Sequence, residues 1–254
     1  MSRFHLVQAD LHWEDPGANR HLLAELMGDL RGGVIVLPEM FSTGFSMASS
    51  RLAESMDGPT VNWMQDMAGK HAATLSGSLI IEDDGRYYNR FLWVEPSGNI
   101  AYYDKRHLFR MADEHDHYSP GARRVLVSHD KTVLLPQVCY DLRFPAWSRN
   151  RNDYHALLYV ANWPAARRDQ WLALLRARAI ENLSYVVAVN RVGRDGNGIG
   201  YAGDSCVLDF RGELLLDMAS EELVTSIDLD IPALQAYREA FPAWRDADEL
   251  EIRP

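Results

Sequence analysis

The sequence predicts an α/β fold in which two β-sheets pack against each other and helices cover their outer faces. Short β-rich apolar segments alternate with longer segments of helical period, which is the pattern of α/β proteins. The segments suggest about ten to twelve strands, more than a single twisted open sheet usually carries without splitting. Two packed mixed sheets are therefore the simplest arrangement for these 254 residues.

The first half of the chain alternates strand and helix patterns and then forms hairpins. Strands are predicted at Phe4–Ala9, Val34–Leu37 and Thr74–Ile81, and helices at Asn19–Leu30 and Val61–His71. Two hairpins follow, Tyr87–Val94 with Ile100–Tyr103 and Val125–Val127 with Thr132–Leu135, the second turning at His129 and Asp130. Parallel crossovers and antiparallel hairpins together indicate mixed sheets.

The second half repeats this pattern. We predict a strand at Ala156–Val160, a helix from about Arg167 to Asn182, a strand at Tyr185–Val189, a hairpin of Cys206–Phe210 with Glu213–Leu216, a strand at Leu223–Leu229 and a last helix near Ile231–Ala240. The glycine-rich stretch Gly193–Gly203 lacks the Gly-Lys-Ser/Thr of a phosphate-binding loop, so a turn is expected there.

Composition limits the class of protein. With 26 basic and 36 acidic residues the formal net charge is −10, and only three of the basic residues are lysines, so neither nucleic acid nor an anionic membrane is an expected partner. The longest apolar run, Ala156–Ala161, is far too short to span a bilayer, and the first residues lack a secretory signal, so we expect a cytoplasmic protein. No repeat or linker is visible, which predicts a single domain over residues 1–254.

Three polar residues each follow an apolar or β-branched strand. Glu39 follows Val34–Pro38, Lys105 follows Ile100–Asp104 and Cys139 follows Val133–Val138. In α/β sheets the groups that bind ligands lie just beyond the carboxyl ends of strands, so these three could meet in one crevice. There a carboxylate could deprotonate a thiol and an ammonium could stabilise an oxyanion. Taken singly, a cysteine at a strand end is more often a small buried thiol, and a glutamate or lysine there is usually a solvated strand end.

Three sequence motifs favour the catalytic interpretation of these residues. The segments Leu37–Phe45, Tyr103–Phe109 and Val138–Pro145 resemble the Glu, Lys and Cys motifs of the carbon–nitrogen hydrolase (nitrilase) superfamily, in the family's order. The resemblance continues through Ala161–Pro164, Ala177–Asn182 and Asn190–Gly198 and is strongest with the bacterial omega-amidase branch.

The resemblance implies a four-layer α-β-β-α sandwich and a set of catalytic roles. Glu39 would be the general base, Lys105 the oxyanion stabiliser and Cys139 the nucleophile. Glu114 fits the Glu-x-x-x-x-Ser/Thr-Pro-Gly pattern of a second glutamate found in many members, which would orient Lys105 and the substrate amide. The predicted activity is hydrolysis of small omega-amides of dicarboxylic (2-oxo) acids, with ammonia release through a thioester and no cofactor.

Four further residues are candidates for substrate binding. The backbone N–H of Tyr140 would share the oxyanion with Lys105, and Phe45 and Trp163 would line the pocket. Arg143 could grip a substrate carboxylate with its guanidinium or brace the loop at Asp141.

Several alternatives remain open from the sequence. A nitrilase or carbamoyl hydrolase would use the same residues on another carbon–nitrogen bond, and a non-enzymatic thiol redox sensor would need only a reactive Cys139. Residues 113–117 include metal-ligand types, but their spacing favours a polar loop without a metal. Cys206 is expected to be a buried, inert thiol. The Phe241–Trp244 segment is apolar and could dock on a second subunit, and members of the family that this chain resembles are commonly dimers or larger. We therefore expect a homo-oligomer.

Overall fold

Two six-stranded sheets form the centre of the protein. The structure is a computed structural model that describes residues 2–249 and 251–252. In chain order the strands of this part are β1 (Ser2–Gln8), β2 (Val34–Val36), β3 (Thr74–Asp83), β4 (Arg86–Val94), β5 (Ile100–Asp104), β6 (Val127–His129), β7 (Thr132–Val138), β8 (Ala156–Ala161), β9 (Tyr185–Asn190), β10 (Val192–Arg194), β11 (Gly200–Ala202), β12 (Cys206–Leu208), β13 (Leu214–Asp217) and β14 (Leu223–Leu229).

Both sheets are mixed, and their central strands are parallel. The first sheet has the order β14-β1-β2-β3-β4-β5 and the second β13-β12-β9-β8-β7-β6. Strands β1, β2 and β3 pair in parallel, as do β7, β8 and β9, and the outer strands pair antiparallel. The carboxyl ends of β2 and β5 therefore point to one edge of the first sheet, while those of β7 and β8 share an edge of the second.

Helices cover the outer faces of the sheets. They are α1 (Pro16–Met27), α2 (Ser49–Leu52), α3 (Pro59–His71), α4 (Glu114–His117), α5 (Pro145–Ser148), α6 (Arg168–Asn182) and α7 (Ile231–Ala240), with short 3₁₀ turns at Arg110–Ala112, Cys139–Arg143, Ala165–Arg167 and Ala243–Asp246. None of the helices in the described part of the chain has the length and apolarity needed to cross a membrane.

Three apolar layers hold the sandwich together. Side chains such as Phe4 and Val36 of the first sheet meet Val160 and Val187 of the second in the central layer. Helices α1 and α3 pack on the outer face of the first sheet, and α6 packs on the second with Trp171 and its neighbours. Burying alternate faces of each strand in this way is what an α-β-β-α sandwich requires. The predicted fold class is confirmed.

The structure differs from the sequence prediction at two hairpins. The Gly193–Gly203 stretch, predicted as a turn, forms the hairpin β10–β11, so the described residues contain fourteen strands rather than ten to twelve. The β6–β7 hairpin turns one residue later than predicted, because Asp130 adopts a left-handed φ of 51° and His129 pairs with Thr132. Asp tolerates this conformation, which short hairpin turns require.

Candidate active site

A buried ion cluster lies where the carboxyl ends of β2 and β5 face the second sheet. The Lys105 Nζ atom is 2.9 Å from Glu39 Oε1, 2.9 Å from Glu114 Oε1 and 3.0 Å from Glu114 Oε2. All three side chains are buried. Burial lowers the pKa of Lys105, but the attraction of Glu114 and Glu39 outweighs it, so the net pKa is raised and the amine stays an ammonium ion.

The pKa of the Glu114 carboxyl is also shifted by this buried environment. Burial raises the pKa of this carboxyl, and the charge of Glu39 adds to that effect, against the opposing attraction of Lys105. The backbone N–H of Phe109 donates to Glu114 Oε2 over 2.6 Å. This contact holds the carboxyl against the lysine, at the start of α4 and not in the loop that the sequence predicted.

Two asparagines hold Glu39, and sequence reasoning assigned a role to neither. Asn89 donates to Glu39 Oε1 over 2.8 Å, and its own oxygen accepts from Ser78 Oγ over 2.8 Å, which fixes the orientation of the amide. The backbone N–H of Asn162 donates to Glu39 Oε2 over 2.8 Å. Asn162 lies inside a segment that carries the family resemblance, whereas Asn89 has no sequence signal because it sits within a regular strand.

Cys139 stands at a sharp bend beside this cluster. It has a left-handed φ of 44°, an uncommon conformation for a residue other than glycine, at the junction of β7 and a 3₁₀ turn. Burial raises the pKa of the Cys139 thiol well above its usual range, the charge of Glu39 raises it further, and Lys105 opposes both. The thiol is therefore protonated at rest, and the neighbouring Glu39 carboxylate, whose charge acts on it, is the candidate to accept that proton.

Asp141 supports the bend from below. Its carboxylate accepts hydrogen bonds from the Val138 N–H over 3.0 Å, the Tyr103 hydroxyl over 2.8 Å and the His107 N–H over 2.9 Å. The bonds from Tyr103 and His107 come from β5 and the segment after it, and all three bonds together satisfy a fully buried carboxylate. Among the described residues, Arg143 is not a hydrogen-bond partner of Asp141. One of the two roles that the sequence suggested for Arg143 was to brace this loop, and Tyr103 and His107 do so instead.

Arg143 instead faces a pocket above Cys139. Its guanidinium lies 4.9 Å from the centre of the Trp163 ring and donates to Gln170 Oε1. The pocket has a volume of about 500 Å³ including its open mouth. Its lining consists of Phe45, Lys105, Phe109, Ala112, Cys139, Tyr140, Arg143, Asn162, Trp163, Pro164, Arg167, Ile199 and Tyr201.

The lining brings together most of the predicted site residues. Phe45 places its ring centre 5.1 Å from Lys105 Nζ, and Tyr140 packs edge-on against Phe109 with ring centres 5.0 Å apart. Glu39 and Glu114 lie behind Lys105 and not in the pocket wall. Ile199 and Tyr201 come from the β10–β11 hairpin and were not predicted, because that stretch was taken for a turn.

This arrangement is matched by a known family. A family model described as carbon-nitrogen hydrolase matches residues 6–239. The chain belongs to the carbon-nitrogen hydrolase family. The resemblance drawn from the three motifs is confirmed.

Named relatives of this carbon-nitrogen hydrolase cover almost its whole length. It is 52% identical over 250 residues to the omega-amidase YafV of Escherichia coli strain K12, covering 97% of each chain. It is 33% identical to the 2-oxoglutaramate amidase of Bacillus subtilis strain 168, covering 84% of each chain. Among solved structures it matches XC1258 of Xanthomonas campestris, a CN-hydrolase superfamily protein with an arsenic adduct in its active site, with a TM-score of 0.97, 44% identity and 99% coverage of both chains.

The second cysteine of this carbon-nitrogen hydrolase lies away from the pocket. Cys206 is 1% exposed within β12. Burial raises its pKa, and the charges of Asp217 and Asp204 raise it further. A buried, inert thiol is what the sequence predicted.

One group of potential metal ligands lies beside α4. Atoms of Asp113, His115 and Asp116 fall within 4.8 Å of one another, and the two carboxylates are exposed. Glu114, between them in sequence, points to Lys105 instead. Such exposed acidic groups are common on protein surfaces, and the group carries no metal assignment.

Proposed function

We propose that this chain is a cysteine-dependent omega-amidase, which hydrolyses the terminal amide of short dicarboxylic acids, including 2-oxo acids, and releases ammonia. The observation that carries the proposal is the buried cluster in which Lys105 Nζ lies 2.9 Å from Glu39 Oε1, together with Cys139, which lines the same pocket as Lys105 and an arginine. The omega-amidase and 2-oxoglutaramate amidase among the relatives support the same substrate class.

The first half-reaction forms a thioester. Glu39 takes the Cys139 proton as the sulfur attacks the amide carbonyl carbon, and the carbonyl π electrons move to oxygen. Lys105 and the backbone N–H of Tyr140 hold the resulting oxyanion. When the oxyanion collapses, the carbon–nitrogen bond breaks and Glu39 returns the proton to the nitrogen, so that ammonia leaves.

The second half-reaction hydrolyses the thioester. Water enters the space that ammonia vacated, Glu39 takes one of its protons, and the hydroxide oxygen adds to the carbonyl carbon. Collapse of the second oxyanion breaks the carbon–sulfur bond, and the proton held by Glu39 returns to the Cys139 sulfur. The products are a carboxylic acid and the free enzyme, and no cofactor takes part.

Glu114 and Arg143 complete the proposal. Glu114 holds the Lys105 ammonium in place through two contacts. Its oxygens also accept from the Phe109 N–H and from Asn89 and lie outside the pocket lining, so we assign it no contact with the substrate amide. Arg143, with a neutral side chain as its hydrogen-bond partner, would bind the far carboxylate of the substrate. Phe45, Trp163 and the Tyr140 ring would enclose the methylene chain between the two ends.

Ammonia release over a panel of small amides, nitriles and carbamoyl compounds tests the proposal. An omega-amidase releases ammonia from dicarboxylic monoamides and forms an acyl-enzyme adduct on Cys139 that mass spectrometry detects. Preference for nitriles or carbamoyl compounds would assign another branch of the family. Ammonia release from no compound, with reversible oxidation of Cys139, would favour the redox sensor.

Three wider expectations also remain proposals. We propose one catalytic domain over residues 1–254, supported by the family match over 6–239 and by the shared core between the sheets. We propose a homo-oligomer, supported by Phe241, which is 54% exposed after α7, and light scattering in solution would test it. The cytoplasmic location stays a prediction.

A further inference from the structure

The charged side chains that line the active-site pocket are all cations: Lys105, Arg143 and Arg167. Lys105 is paired with two carboxylates. Within residues 2–249 and 251–252, neither guanidinium forms an ion pair, and their hydrogen-bonding partners are neutral: Gln170 for Arg143 and the Met111 sulfur for Arg167. In a protein of net charge −10, a pocket with two cations free of carboxylates is built for an anion.

Arg167 is one of the residues that line this pocket. Its backbone belongs to the 3₁₀ turn after β8, where the Arg167 carbonyl accepts the Trp163 indole N–H over 2.8 Å. Its guanidinium lies 5.2 Å from the centre of the Phe109 ring, another residue of the lining, with Nη1 4.0 Å from Met111 Sδ. A thioether is a weak acceptor, so most of the guanidinium N–H groups are free for a ligand.

The chemistry of a 2-oxo acid needs a second donor. A carboxylate presents two oxygens, which one guanidinium fork can satisfy, whereas a 2-oxo acid adds a third oxygen on the next carbon. Two other polar groups of the lining already donate to the protein. The Asn162 amide donates to the Glu39 carbonyl over 2.6 Å, and the Tyr201 hydroxyl donates to Asp195 over 2.8 Å.

We propose that Arg167 determines specificity for 2-oxo acid amides by donating to the 2-oxo oxygen while Arg143 holds the adjacent carboxylate. This inference rests on the proposed omega-amidase function and adds to it a residue that hydrogen-bonds to the 2-oxo oxygen of the substrate. The guanidinium contributes at the recognition end of the substrate, away from the scissile amide at Cys139, so its loss should discriminate between substrates and leave the chemical steps intact.

Three amides of equal chain length test the inference: 2-oxosuccinamate, succinamate and butyramide. The wild type should prefer 2-oxosuccinamate to succinamate. Arg167→Met should reduce that ratio of kcat/KM values roughly tenfold to a hundredfold, the contribution of a hydrogen bond to a charged group. Arg167→Lys, which keeps the charge but not the fork, should fall between. Arg143→Met should instead slow both anions relative to butyramide.

Arg168→Met is the matched control, because Arg168 is the next residue, lies outside the pocket lining and pairs with Asp204 over 2.7 Å. It should leave the ratio unchanged. An Arg167→Met variant with native circular dichroism and an unchanged ratio would overturn the inference. So would equal slowing of all three amides, which would mark a structural role, or a wild type without any 2-oxo preference. Failure to hydrolyse any omega-amide would instead reject the proposed function itself.

Discussion

Asn162 and Glu39 are joined by two hydrogen bonds that link the sheets at the active site. The Asn162 backbone N–H donates to Glu39 Oε2 over 2.8 Å, and its side-chain amide donates to the Glu39 carbonyl oxygen over 2.6 Å. Asn162 follows β8 of the second sheet and Glu39 follows β2 of the first. The orientation of the proposed general base therefore depends on how the two sheets pack.

Asn162→Ala should lower both stability and turnover. It leaves the buried Glu39 carbonyl without its side-chain donor, which costs about 1–3 kcal/mol of unfolding free energy. Because Glu39 is then less well placed, kcat should fall about tenfold or more while KM changes little. Urea unfolding and ammonia release measure the two effects. Asn99→Ala, in an exposed turn, is the control, and equal behaviour of the two variants would contradict the role given to Asn162.

Cys139 should react with iodoacetamide faster than Cys206. Cys139 opens on the pocket, whose lining also holds the Lys105 ammonium, whereas Cys206 is 1% exposed. Thiol reactivity follows access and thiolate character. Mass mapping of the labelled, folded protein checks this. Equal or faster modification of Cys206 would remove the support for Cys139 as nucleophile.

Cys139→Ala and Lys105→Met should both abolish turnover but differ in stability. Cys139→Ala removes a small side chain at a bend and should leave the fold intact. Lys105→Met leaves two buried carboxylates without their cation, which costs about 3–5 kcal/mol at neutral pH. The double variant should lose little further activity, because members of one catalytic unit are strongly non-additive. Residual turnover in either single variant, measured as ammonia release, would contradict the proposed mechanism.

Alkaline pH should destabilise the protein through its buried tyrosines. Burial raises the pKa of Tyr103 and of Tyr154 well above the usual 10.0. Above pH 10 the unfolded chain therefore loses protons that the folded chain keeps, so the stability present below that pH decreases as pH rises through the folded values. Phenolate absorbance followed together with circular dichroism tests this. Ionisation of every tyrosine near pH 10 in a protein that remains folded would contradict it.

Arg143→Met should reduce the preference for an anionic substrate. Because Arg143 donates to a neutral partner, a substrate carboxylate can form a charge-assisted hydrogen bond with it, so the wild type should hydrolyse succinamate far faster than the uncharged butyramide. The variant should lose about tenfold to a hundredfold in kcat/KM for succinamate and little for butyramide. Steady-state ammonia release measures both. Equal hydrolysis of the two amides by the wild type would leave only a broader amidase.

Sequence alone was enough for the fold class and for the residues that follow strand ends. Strand and helix periods are local, so the layers could be predicted from segments such as Val34–Leu37. Glu39, Lys105 and Cys139 were found because each follows an apolar strand and lies within a recognisable motif. The short strands β10 and β11 were missed altogether, because glycine-rich segments carry little periodic signal.

The tertiary structure decided the contacts between these residues. Asn89 contacts Glu39 across 50 residues of chain and Asn162 across 123, and nothing in the local sequence around either asparagine specifies that pairing. Tyr103 and His107 donate hydrogen bonds to Asp141, whereas Arg143 contacts Trp163 and Gln170. A hydrogen bond requires a donor–acceptor distance within a few tenths of an ångström of about 2.9 Å. Only the packing of the two sheets fixes distances between remote residues that finely.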